Sequence, residues 1–204
     1  MAALLERHRI TETVAADLNT YLDLPHRIEV TTRSCGGSGY DTDTRRIELC
    51  YDDLTEDREL FEHAGDMSTD EPVAAVARET LYHEAGHALI DTLGLPMPDA
   101  RAEEDAADRF AQLMLLRDGR PEGEQALLTA ARAYDLAAAA HPDADPEDEH
   151  APDAARAESH RCAIYGAAPP RHPNLATPLR TDCPHTWTTT RDTWTRDLGA
   201  ALRR

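Results

Sequence analysis

Glu79-Thr80-Leu81-Tyr82-His83-Glu84-Ala85-Gly86-His87-Ala88-Leu89-Ile90-Asp91 is the stretch on which the reading of this chain turns. Val73, Val76, Leu81, Ala88 and Leu89 continue one helical pattern through it. His83 and His87 stand four residues apart, so on a helix they share a face, with Cβ atoms about 5–6 Å apart. Both imidazoles then reach one metal ion, and Glu84 faces a water held on that ion. Ser68-Thr69-Asp70-Glu71-Pro72 supplies the helix start, with proline just inside it. Leu93-Gly94-Leu95-Pro96 ends it with a glycine C-cap and a stopping proline. Gly86 costs about 1 kcal/mol relative to alanine in a helix interior, which points to close packing of a neighbouring element.

Sixteen residues separate His87 from Glu104-Asp105-Ala106-Ala107-Asp108, where Glu104 and Asp108 are again i,i+4 neighbours. The helix that carries them starts near Asp99 and ends at Gly119. Counted back from Leu93, His87 lies about 9 Å and His83 about 15 Å along the first helix. Counted forward from Ala100, Glu104 lies about 6 Å and Asp108 about 12 Å along the second. If the helices pack antiparallel, Glu104 comes level with His87 and Asp108 comes near His83. Glu104 is then the third ligand of one Zn2+ ion, and Asp108 orients the His83 ring. Glu103 and Asp105 point about 100° away and are set aside as ligands. Three protein ligands leave one position for water, and Glu84 is placed to accept its proton as general base and pass it to a leaving amine.

These residues resemble the zincins of the gluzincin type, in which HExxH is followed by Glu-x-x-x-Asp on a later helix. Thermolysin-like enzymes share that logic with a slightly longer spacer. A closer similarity is to a family of small bacterial metallopeptidase-like proteins of unknown function, which carry HELGH-ALID, then LP, then EEDAAD. Here those parts read His83 to Asp91, Leu95-Pro96, and Glu103 to Asp108. The similarity extends to Cys35 with Cys50-Tyr51, and to Cys162-Ala163-Ile164-Tyr165-Gly166 with Cys183, so it covers most of the chain. It implies zinc on His83, His87 and Glu104, with Glu84 as base. The chain departs from the family pattern in an acidic, proline-rich insertion around His141–Pro152.

The formal net charge is −18, and all 21 basic residues are arginine. Such a field repels nucleic-acid phosphates and anionic membrane surfaces and favours metal cations or basic partners. No run of about 18 apolar residues is present, so no membrane span is expected. The first residues lack a basic stretch followed by an apolar one, so they do not read as a signal peptide. Either the protein stays in the cytoplasm or a segment has been removed ahead of the chain. The four cysteines fall into two local pairs, Cys35 with Cys50 and Cys162 with Cys183, and form no C-x-x-C. Three connectivities exist. The local one closes short loops worth about 3 kcal/mol each and implies an extracytoplasmic location, whereas four reduced thiols suit the cytosol.

In chain order the pattern predicts a helix over 4–22 and a strand at Arg27–Thr32. A turn-rich segment follows at Ser34–Gly39, then a strand at Arg46–Tyr51 and a helix over 52–64. The two strands are expected to form a small antiparallel hairpin or sheet, whose exposed edge could pair with an extended peptide. After the two site helices come helices over 121–140, 154–165 and 186–202, with an acidic loop over 141–153 that reads as solvated. The expected fold is α+β and predominantly helical, zincin-like, in one 1–204 domain. Residues 1–66 form its N-terminal part, 70–119 the metal-site helix pair and 120–204 the C-terminal helices. An electrophile opposite Glu84 has candidates in Tyr165, His160, His172 and His185. The expected function is a zinc metallopeptidase acting on a peptide or protein substrate. The alternatives are a cytosolic protease dedicated to one regulatory partner and a non-catalytic zinc-binding interaction module.

Overall fold

The computed structural model describes residues 1–142 and 148–203. Helices α1 (Ala2–His8) and α2 (Ile10–Tyr21) occupy the stretch read as one helix. The break falls at Arg9, whose left-handed backbone (φ 49°, ψ 43°) ends the first helix while its N–H donates to the Glu6 carbonyl at 3.1 Å.

Strands β1 (Glu29–Arg33), β2 (Gly39–Asp41) and β3 (Arg46–Cys50) form a mixed sheet in the order β1-β3-β2. The expected antiparallel pairing of the two alternating runs is corrected: β1 and β3 run parallel, with Arg33 opposite Cys50. The glycine-rich segment after β1 crosses to the far edge and itself contributes β2. A turn capped by Asp41 accepting from the Thr44 N–H at 2.8 Å then returns the chain as the central strand. The antiparallel partner of β3 is therefore β2, paired from Gly39–Glu48 to Asp41–Arg46. Cys35 and Cys50 are disulfide-bonded, with Cα atoms 5.2 Å apart, which ties the start of the crossover to the end of β3. The first turn of α3 (Tyr51–His63) holds the same crossover: Asp52 accepts from the Cys35 N–H at 2.8 Å and Asp53 from the Ser38 N–H at 2.6 Å.

Helix α4 (Asp70–Leu93) runs through the middle of the core. Val73, Ala77, Leu81, Ala85, Ala88 and Leu89 are buried along it, and Glu79, His83 and Glu84 are buried as well. Gly94, at φ 59°, caps it as expected, and the Leu95 N–H reaches back to the Ile90 carbonyl at 2.9 Å. Helix α5 (Ala100–Leu116) starts at Asp99, whose side chain accepts from the Ala102 N–H at 2.8 Å. It returns antiparallel to α4, and a Cβ added to Gly86 would stand 2.8 Å from the Ala107 Cα. The two backbones are in contact there, which is the close packing that the mid-helix glycine signals.

Helices α6 (Pro121–Ala140), α7 (Asp153–Ala167) and α8 (Cys183–Leu198) complete the fold, with three short 3-10 turns between the last two. Cys162 and Cys183 are disulfide-bonded and join α7 to the start of α8. Trp194 of α8 lies against Phe110 of α5, ring centroids 4.9 Å apart. One apolar cluster draws on every described helix and on β3. Part of the acidic loop read over 141–153, residues 143–147, lies outside the described residues. No helix among the described residues is long and apolar enough to cross a membrane.

Candidate metal centre

Antiparallel packing of α4 and α5 sets the two i,i+4 pairs against each other at the expected heights. Glu104 Oε1 lies 3.3 Å from His87 Nε2, and Glu104 Oε2 lies 3.1 Å from His83 Nε2. The two Nε2 atoms are 3.2 Å apart. His83, His87 and Glu104 are the one group among the described residues whose three ligand-type atoms lie within 4.8 Å of one another. Ligands at about 2.0–2.1 Å from a tetrahedral centre stand about 3.3–3.4 Å from each other. The measured separations, 3.1–3.3 Å between the two imidazole nitrogens and the two Glu104 oxygens, lie close to that spacing. Glu104 Oε2 is buried and makes no hydrogen bond, although two imidazole nitrogens lie close to it. Two imidazole nitrogens and a carboxylate that converge on one point fit a cation between them.

The outer ring nitrogens are held in turn. His83 Nδ1 sits 2.8 Å from Asp108 Oδ1, as the helix count anticipates. Asp108 also takes a two-pronged contact from Arg156, at 3.0 Å from Nε and 2.7 Å from an Nη. The Arg156 guanidinium lies over the Tyr134 ring, 4.3 Å from its centroid. His87 Nδ1 sits 3.0 Å from Glu103 Oε1. Glu103, set aside as a ligand, thus holds the second imidazole in place.

The charges around the centre are strongly biased. Burial alone would push the His83 imidazole down, but its contacts to Asp108 and Glu104 prevail and raise it to about 10. Burial opposes ionisation of Glu104, yet the surrounding imidazoles of His150, His83 and His87 hold it well below the usual carboxylate range. Burial likewise opposes ionisation of Asp108, and Arg156 and His83 hold it low. Positive charge is thus favoured between the two rings. Glu84 differs: it is 6% exposed, burial raises its pKa, and no hydrogen bond contributes to its state.

His150 and Arg156 are site residues that sequence reasoning missed. His150 Nε2 lies 3.0 Å from Glu104 Oε2, and its ring stacks over His83 at 6.1 Å between centroids. It arrives on a loop with no periodic signal, inside the acidic segment read as solvated. Arg156 arrives on α7, and the one available signal was an arginine on a face that would otherwise be buried. Of the expected electrophiles, His160 is fully buried between Glu79 and Gln112, with each ring nitrogen 3.1 Å from one of them. His172 pairs with Glu124 at 3.0 Å. His185 lies on a surface groove with Trp194, and Tyr165 is half-buried on α7.

The family model described as "DUF4344: Putative metallopeptidase" matches residues 1–198, and the chain belongs to that family. No curated protein and no solved structure matches the chain.

Proposed function

We propose that this chain is a zinc-dependent peptide-bond hydrolase of the gluzincin kind, with residues 1–204 acting as one unit. The observation that carries the reading is the convergence of His83 Nε2, His87 Nε2 and the Glu104 carboxylate, beside a buried Glu84 with no hydrogen bond among the described residues. His83, His87 and Glu104 hold the metal. When bound, the zinc ion acts as a Lewis acid that acidifies water and polarises a carbonyl. Asp108 and Glu103 fix the two imidazoles through their Nδ1 atoms, so that both Nε2 lone pairs face inward. Arg156 compensates the Asp108 charge and keeps that carboxylate ionised. Glu84 accepts the proton of the attacking water and delivers it to the leaving amine. Its lack of a competing hydrogen bond leaves the carboxylate available for that proton.

A non-catalytic zinc module has no use for a buried carboxylate held in this state, so Glu84 favours the enzyme. Ser38, just ahead of β2, lines the same cavity as Glu84, and β2 is an edge strand of the sheet. An extended peptide added to that edge would pass the site. The two disulfides favour an oxidising, extracytoplasmic compartment. The test is casein hydrolysis, with bound metal measured in parallel, for wild type and Glu84→Gln. Zinc in both proteins and cleavage by wild type alone is the expected result. Stoichiometric zinc in a wild type that cleaves no unstructured protein would overturn the reading.

A further inference from the structure

We infer that the cavity beside Glu84 is a subsite for a long cationic side chain of the substrate, arginine or lysine; the inference rests on the peptide-hydrolase reading. The cavity has a volume of about 360 Å³, at the lower end for ligand sites, and His83 and Glu84 form one of its walls. Asp53, Glu56 and Asp57 of α3, with Glu79 of α4, line it as well. Two of these four carboxylates have partners: Asp53 accepts from the Ser38 N–H, and Glu79 lies 3.1 Å from His160. Glu56 and Asp57 have no ion pair among the described residues. Arg156, the one arginine on the wall, is already held by Asp108.

Burial, followed by repulsion from Asp53, Glu79 and Glu56, pushes the Asp57 carboxyl up to about 7. Negative charge is therefore crowded around Asp57, and the one arginine of the lining is already paired with Asp108. An independent sign of a ligand is Glu84, which is more than nine-tenths buried and lines the same cavity with no hydrogen bond among the described residues. Part of the lining is apolar, from Val76, Ala130, Ala133 and Ala137. An arginine or lysine presents the complement, a methylene stem for the apolar wall and a charged head for the carboxylates. A divalent metal does not match. The carboxylates fall outside the single group of ligand atoms that, among the described residues, converges within 4.8 Å.

The test uses two peptides identical except for one residue, arginine in one and its neutral isostere citrulline in the other. Binding is read by fluorescence anisotropy on the full chain before zinc loading, and kcat/KM on the zinc-loaded protein. The expected result is at least about tenfold tighter binding of the arginine peptide. In a Glu56→Gln, Asp57→Asn double variant the ratio should fall below about threefold. Equal binding of the two peptides by wild type would overturn the inference, as would an undiminished ratio in the variant. Stoichiometric Ca2+ uptake lost in the variant would overturn it too, by assigning the cluster to a metal. Preferential arginine binding without cleavage of either peptide would support the subsite while removing the hydrolase reading.

Discussion

On the side of α4 that meets α5, each carboxylate at the centre has an imidazole or guanidinium partner: Glu103 with His87, Glu104 with both histidines, Asp108 with His83 and Arg156. On the side that opens toward α3, Glu56, Asp57 and Glu84 line one cavity without such a partner among the described residues. The two sides share one helix and differ in what their charge is for. Paired carboxylates hold imidazoles in place and favour a cation at a fixed point. Unpaired ones cost folding free energy and are left for something that arrives from outside. This division of labour can be attacked from either side.

The largest effect is expected where a paired charge loses its partner. Arg156→Ala leaves Asp108 buried with His83 alone, and removing one member of such a buried pair costs about 3–5 kcal/mol. A urea denaturation midpoint should fall accordingly, and zinc affinity should fall about 10–100-fold because the His83 ring loses its brace. A variant as stable as wild type would mean that Arg156 is a surface contact only. Gly86→Ala is expected to do less. Its Cβ would meet the Ala107 backbone at 2.8 Å, so the helices must separate at a cost of about 1–3 kcal/mol. Better helix propensity offsets about 1 kcal/mol of that. A rise in Tm would show that the helices can part there freely.

A third effect has the opposite sign. The Asp57 carboxyl is raised in the folded chain, to about 7, so its ionised form is disfavoured by folding. The penalty is absent below the unfolded pKa of about 4 and is complete above the folded value. Asp57→Asn removes it. Tm should match wild type near pH 4 and exceed it increasingly up to about pH 8. A Tm difference that does not vary with pH, or a loss of stability at pH 8, would show that Asp57 is not under repulsion.

The α4–α5 half of this arrangement was legible because its information is local. Two i,i+4 pairs, a glycine cap and an N-cap aspartate fix which residues share a face and how far each lies from the turn. Gly86 even marked the point of backbone contact. The other contributors reach the site by tertiary closure. His150 comes from a loop, Arg156 from α7, and Asp57 from a helix whose exposed-looking acidic face carries no periodic sign of a cavity. The sheet misled for a related reason. Alternation identifies β1 and β3 as strands, but pairing depends on the path of the connection, and a three-residue strand within that connection has too few residues to alternate visibly.

The claim on which the rest depends is that α4 and α5 together hold one metal ion. Zinc titration in competition with a chromophoric chelator, on wild type and Glu104→Ala, tests it most directly. One zinc per chain in wild type, with binding severely weakened in Glu104→Ala, is the predicted result. Zinc retained at full affinity by Glu104→Ala would contradict it.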